Sequence, residues 1–377
     1  MRILSSYFAR ETFAAVGFVL AGFLALFSFF DFIAELEDIG RGQYELAQAL
    51  AFVLLSLPNH IYELMPIAAL IGTIYALAQF ASNSEFTAMR AAGLGRMRAL
   101  RALLRVGLVL AAITAMVGEI VAPPAEKLAQ DVRLGAMGGQ VTGQFRSGIW
   151  IKDTLRDDDG KIALRRFVNI AQMSPGGELQ NVRIFEFDPT LRLHRIIWAP
   201  TGAFIGADRW RLNETAALSI SPATGAGAGD AIRVRRESLG QMTWASQLTP
   251  DILAVMALSP DRMSAWNLHE YVLHLTQNQQ DAGRYEIAMW KKIVYPLAVL
   301  VMMALALPFA YLHARAGSIG YKVFAGIMLG VAFHFLNGLF SHLGLLNTWP
   351  PWLAVSIPSI AALLIALFML YRVGGAR

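Results

Sequence analysis

Gly148-Ile149-Trp150-Ile151-Lys152-Asp153 sets Ile149 and Ile151 on one side of the chain against Trp150 and Lys152 on the other. That period of two marks a half-buried strand. The alternation returns at 209–213, where Trp210 and Leu212 alternate with arginines, and at 230–236, where Ile232 and Val234 alternate with Arg233 and Arg235. Turn signals part these strands at Asp159-Gly160, Pro175-Gly176-Gly177, Asp188-Pro189, 200–202 and the Gly/Ala/Pro-rich run 222–229. Short strands at such spacing predict an antiparallel sandwich or open barrel over 123–265.

The sequence on either side obeys a different rule. Stretches 12–30, 47–80 and 100–122 before the insert, and 293–312, 323–343 and 352–371 after it, each reach the roughly 20 apolar residues that a membrane-spanning helix needs. The 377 residues are 56% hydrophobic and 16% charged, with mean hydropathy +0.47, which excludes an ordinary soluble domain. The expected fold is a polytopic α-helical membrane protein, three spans plus three, interrupted by an all-β domain. The chain divides into 1–122, 123–265 and 266–377, with an amphipathic helix at 265–277 leading into the fourth span. The first apolar run exceeds a signal-peptide core and has no small-x-small cleavage site after it, so it reads as a retained span.

Basic residues in short loops fix the orientation. Arg2 and Arg10, then Arg90, Arg96, Arg98, Arg101 and Arg105, then Arg315 and Lys322, then Arg372 and Arg377 share one side with Glu85. Loop 34–46 on the other side carries Glu35, Glu37, Asp38 and Glu45 against Arg41. Both termini are expected in the cytoplasm and the insert outside it. A net charge of +5 made of interleaved signs describes a solvated surface, so no nucleic-acid partner is expected. With no cysteine, the insert must be held by its core alone.

The second apolar stretch would be about 50 Å long as a straight helix. Pro58 and Pro66 are expected to kink it, with Asn59, His60 and Glu63 at headgroup depth and 47–57 standing above the bilayer against a partner. Between the second and third spans, Ser82 and Glu85 fit a capping box. The same short helix, with Phe86 and Met89 three apart, could instead plug into a cytoplasmic partner; Ser84, Glu85, Phe86, Met89 and Arg90 are the candidate coupling residues.

Catalytic signatures are missing. Gly160-Lys161 is followed by Ile162 and has no glycine five positions before it, so it is no phosphate loop. His269 and His274 are five apart, about 140° around a helix, and cannot share a metal there. No metal site, cofactor or catalytic residue is expected in this chain, and any ATP must be hydrolysed by another. Gly326 and Gly330 permit close helix approach, with His334 and Asn337 continuing the stripe; helix packing and a lateral gate are both open readings. Arg133, Arg284, Lys291 and Lys292 fall just outside the third and fourth spans, where they either snorkel or together receive an anionic headgroup.

Five stretches make the chain resemble the LptF/LptG permease family of lipopolysaccharide export, more its LptG branch than its LptF branch. They are Ser84-Glu85 with Met89 and Gly93; Val121-Ala122-Pro123 with Glu126; 148–153; Leu248-Thr249-Pro250-Asp251; and 281–285 with Met289-Trp290. The resemblance implies a jelly-roll-like periplasmic insert and a non-catalytic permease in the inner membrane. It implies pairing with an LptF-like paralogue, a dimeric LptB-like ATPase that binds ATP and Mg, and LptC-like and LptA-like bridge proteins. It also implies that Glu85 engages the ATPase, that Arg133 faces the lipid, and that the first and fifth spans form gates. One stretch departs from the family, whose members carry cations near the outer end of the first span. Here 31–38 includes Asp31, Glu35, Glu37 and Asp38. Such acids suit an anionic lipid only if a divalent cation bridges them or if the lipid carries few phosphates, and no phosphate-binding role falls to Asp31. A membrane scaffold or receptor whose exported domain binds an envelope partner is the alternative function.

Overall fold

The computed structural model describes residues 2–91, 95–137, 148–156, 162–174, 177–222, 232–246, 248–250, 253, 259–277, 280–311 and 319–375. Among these, six helical stretches are long and apolar enough to cross a membrane, three before the sheet and three after it. The first is α1 (Arg2–Leu36) and the second α2 (Leu46–Ser82). A short α3 (Glu85–Ala91) leads to the third, built from α4 (Arg96–Met116) and α5 (Ala122–Ala136). After the sheet come α6 (Ala265–Gln277), the amphipathic helix expected at that place, and then the spans α7 (Gly283–Ala306), α8 (Ile319–Leu346) and α9 (Pro351–Gly375).

α2 is the axis of the bundle, packing on α1, α5, α7 and α8. It is helical through both prolines. Ala49, Phe52, Val53 and Ser56 in its first turns are buried, and α2 lies along α5 of the same chain. The expectation that 47–57 packs on a partner is therefore corrected for one face, which α5 of the same chain covers, while Leu50 and Leu54 on the other face stay exposed.

Two prolines explain how the third span is built. Pro123 and Pro124 have no N–H, so the α-helical ladder cannot pass through them unchanged. The five residues before α5, Val117–Val121, adopt a π-helix, and the Ala122 N–H bonds to Val117 O rather than to Gly118 O. Pro123 cannot reach back to Gly118 either. The Gly118 carbonyl is left without a partner along the helix.

β1 (Ile149–Arg156), β2 (Ile162–Met173), β3 (Leu179–Phe187), β4 (Leu193–Gly206), β5 (Arg209–Pro222) and β6 (Ile232–Ala245) form one antiparallel sheet in sequential order. Ile151, Val168, Ile184, Ile197 and Ala217 pair in register across the first five strands and are buried. The next row on that face is polar: Asp153, Arg166, Glu186, Arg195, Ser219 and Arg235. Irregular pairing at 213–215, with Gly240 at positive φ opposite Thr215, bends the long strands. The sheet thereby curls over, and Arg166 donates both to Glu186 (2.9 Å) and to the carbonyl of Ala245 at the end of β6 (2.9 Å). Burial lifts the Asp153 carboxyl above its usual range, opposed by a hydrogen bond with Ser246 and by Arg166.

Trp210, Trp244, Leu248 and Leu253 fill the interior, with Trp210 Nε1 donating to Leu248 O at 2.7 Å. Of the alternation at 230–236, residues 230 and 231 and the Ile232 side chain lie outside the described residues, while Arg233, Val234 and Arg235 are all exposed; among the described residues β6 is an edge strand with no neighbour beyond it. An arginine-rich edge resists unwanted strand pairing.

Candidate functional site

At the end of the bundle away from the sheet, α2 stops at Ser82 and the chain reverses through Ser84, whose φ is +62°. Ser82 Oγ bonds back to Gln79 O (2.9 Å), so the Ser82–Glu85 capping box does not form; Ser82 closes one helix instead of opening the next. Phe86 and Met89 are 3% and 5% exposed, and the Phe86 ring meets Tyr311 edge-on at 5.0 Å. These two side chains therefore hold α3 down on its own bundle, correcting the reading in which they face a partner. A helix of seven residues needs such an anchor, since it cannot stand alone. What α3 offers outward is Glu85, Thr87, Ala88 and Ala91; the Arg90 side chain lies outside the described residues. Glu85 accepts hydrogen bonds from Tyr7 Oη (3.2 Å) and Asn83 Nδ2 (3.3 Å). Tyr7, Glu11, Tyr75, Gln79, Asn83 and Glu85 line a groove here, and no motif or spacing marks Tyr7 or Glu11 for it.

At the other end, the acidic stretch finds its partners within the chain. Asp31 Oδ2 meets His60 Nε2 at 2.5 Å. Tyr44 Oη donates to Glu35 at 2.6 Å, and burial beside that carboxylate pushes the hydroxyl far above its ordinary pKa, so it remains a donor. Arg133 on α5 reaches Asp38 at 2.5 Å and Glu35 at 3.5 Å, while its guanidinium lies 5.3 Å from the centre of the Phe52 ring. Arg41 also pairs with Asp38. Gln43 N donates to Ala136 O at 2.7 Å, docking the loop after α1 on the end of α5. The acids thus tie α1 to α2 and α5. Among the described residues no group of three or more His, Asp or Glu could hold a metal ion.

Arg133, Arg284, Lys291 and Lys292 do not form one anion site. Arg133 is committed to the two acids, with a third of its side chain exposed. Lys291 faces Asp261 at 3.5 Å. Lys292 is buried over the Tyr62 ring, 4.3 Å from its centroid, with Nζ 3.5 Å from the Gly118 carbonyl freed by the π-turn. Its work is to join α7 to the third span, and it cannot reach a headgroup. Arg284 is exposed and, among the described residues, has no ion-pair partner.

Gly326 and Gly330 turn inward. A Cβ on Gly326 would lie 2.6 Å from Ile74 Cδ1, and one on Gly330 3.0 Å from Ile67 Cγ2, so the pair seats α8 on α2. His334 is exposed and Asn337 partly buried, its carbonyl accepting from Ser341 Oγ at 2.7 Å. Phe324, Met328, Val331 and Phe335 on α8, with Phe18, Phe29 and Phe30 on α1, leave broad apolar faces uncovered.

Residues 6–372 match the family model described as lipopolysaccharide export system permease LptF/LptG. The chain is 32% identical over 371 residues to the lipopolysaccharide export system permease protein LptG of Escherichia coli K12, covering 98% of both sequences. It is 28% identical over 370 residues to the LptG protein of Haemophilus influenzae, again covering 98% of both.

Proposed function

Because the chain belongs to the LptF/LptG family of lipopolysaccharide export permeases, we propose that it extracts lipopolysaccharide from the outer leaflet of the inner membrane as one half of a two-permease translocase. The observation that carries this reading is one chain uniting six spans, an inserted sheet and, at the opposite end, an anchored short helix, matched along nearly its whole length. The excess of basic residues in the short loops supports a cytoplasmic α3 and cytoplasmic termini, with the sheet in the periplasm. A dimeric ATPase, binding ATP and Mg itself, docks against α3, where Glu85 and the groove beside it meet the partner. The uncovered faces of α1 and α8 meet an LptF-like paralogue around a cavity, and LptC-like and LptA-like proteins take the lipid onward. This chain supplies no catalytic residue.

The mechanism is mechanical. ATPase closure pushes α3, which is bolted to the bundle by Phe86 and Met89, so the push reaches α2 and α7 rather than bending a loose loop. Narrowing the cavity raises the cost of keeping the lipid there, and its acyl chains leave toward other apolar surface without being exposed to water. Arg133 and Arg284 are two cations at the outer rim that can meet the headgroup. Asp38 already holds Arg133, so the carboxylate and the lipid compete for one guanidinium. Asp38→Asn is expected to raise photo-crosslinking of lipopolysaccharide near Arg133 severalfold, and Arg133→Ala to abolish it. Equal crosslinking in both variants would remove Arg133 from the lipid path.

Affinity purification of the tagged chain from native membranes tests the assembly. The expected result is co-elution of a second six-span chain and a separate ATPase. Elution of this chain alone, or with an envelope protein only, would favour a scaffold.

A further inference from the structure

The inserted domain is attached at two places, through α5 on the way in and through the segment from Pro260 to α6 on the way out. A domain on two separate tethers can swivel about them. Here the tethers are fastened to each other. Glu126 on α5 is 1% exposed, and its Oε1 accepts from Arg262 Nη1 at 2.5 Å and from Gln130 Nε2 at 3.0 Å. Two helical turns earlier, in the π-turn, the Glu119 carboxylate accepts the backbone N–H groups of Ala265 (2.8 Å) and Trp266 (3.2 Å). Those are free donors at the start of α6, and a carboxylate there also suits the helix dipole. From the far side, Lys291 of α7 faces Asp261. Residues 261–266 are therefore gripped between the third and fourth spans.

The grip is selective because of what separation would expose. Among the described residues, Glu126 Oε2 is buried with no hydrogen-bond partner, and Arg262 is the one cation paired with this carboxylate. Drawing the tethers apart would strand a buried charge, which is among the costliest events inside a protein. The same π-turn holds Lys292 of α7 through Gly118 O and packs Gly118 on Tyr62 of α2. One irregular turn thus joins the exit tether to three spans.

We propose that Glu119, Glu126 and Arg262 are positioning residues that staple the two tethers together at the base of the inserted domain. The staple fixes the two tethers to each other at the third and fourth spans, so the domain's two attachments move together with those spans. A displacement of those spans then re-aims the domain instead of being lost in two slack linkers. The functional consequence rests on the export reading; the geometry of the staple does not.

The chain has no cysteine, so Ser238→Cys on β6 and Asn347→Cys after α8 give a clean pair of exposed spin-label sites in the full complex. A narrow distance distribution is expected in the otherwise unchanged protein. It should broaden at least twofold in Arg262→Ala and in Glu126→Gln, and stay narrow in Arg262→Lys. Should Arg262→Ala fail to assemble, Glu119→Ala gives the same reading, since it removes both bonds from the third span to the start of α6 while Ser264 still caps that helix. Distributions as narrow in these variants as in the parent would overturn the staple. Lipopolysaccharide released per ATP, measured on the same samples, should fall severalfold in Arg262→Ala. If the parent releases none while the distances behave as stated, the export reading fails and the staple stands.

Discussion

Glu85→Ala should leave the protein folded and assembled but cut lipopolysaccharide release per ATP hydrolysed by tenfold or more. The expectation follows from what the carboxylate touches. Its partners within the chain are two side-chain donors at 3.2 and 3.3 Å in an exposed setting, and hydrogen bonds of that kind contribute about 1 kcal/mol or less to folding. α3 would stay in place because Phe86 and Met89, not Glu85, seat it. A tenfold loss corresponds to about 1.4 kcal/mol of coupling, which a charge-assisted bond to the ATPase can supply. Thermal stability of the purified complex and lipid release are measured on the same sample. Unchanged release would leave Glu85 as an ordinary surface carboxylate.

Gly72→Val should do the reverse, removing the protein rather than its coupling. A Cβ at Gly72 would sit 2.5 Å from Val16 Cα and 2.7 Å from Val16 N. Those are backbone atoms and cannot rotate aside, so α1 would have to lift from α2. Overpacking of this sort costs about 1–3 kcal/mol where side chains can adjust, and here they cannot. Phe8, Ala15 and Val16 would lose their burial against the bundle core. Gly17, one residue further along α1, has nothing within 4 Å of its Cβ position and serves as the control. Membrane levels and melting temperature should fall sharply for Gly72→Val and barely change for Gly17→Val. Similar values for the two would mean that α1 does not pack as described.

The spans, the β insert and the amphipathic helix before the fourth span were legible because each rests on local periodicity. Apolar length reports a bilayer, and alternation reports a strand. What stayed hidden depends on residues brought together over long separations. The acids at 31–38 look unsuited to an anionic cargo until α5 places Arg133 beside Asp38 and α2 places His60 beside Asp31. Lys292 reads as a headgroup cation until Pro123 is seen to free the Gly118 carbonyl that it approaches. Phe86 and Met89 lie three apart whether they face in or out, and the Tyr311 ring decides between the two. The GxxxG stripe was equally silent about its partner, which is α2 of the same chain.

The most direct test of the account is lipid release from proteoliposomes. The full chain would be reconstituted with the paralogous permease and ATPase that co-purify with it, lipopolysaccharide in the bilayer and a periplasmic acceptor protein outside. The account predicts transfer of lipopolysaccharide to the acceptor that requires ATP and this chain, and that is lost in Glu85→Ala. Steady ATP hydrolysis without transfer, or transfer that proceeds equally without ATP, would contradict it.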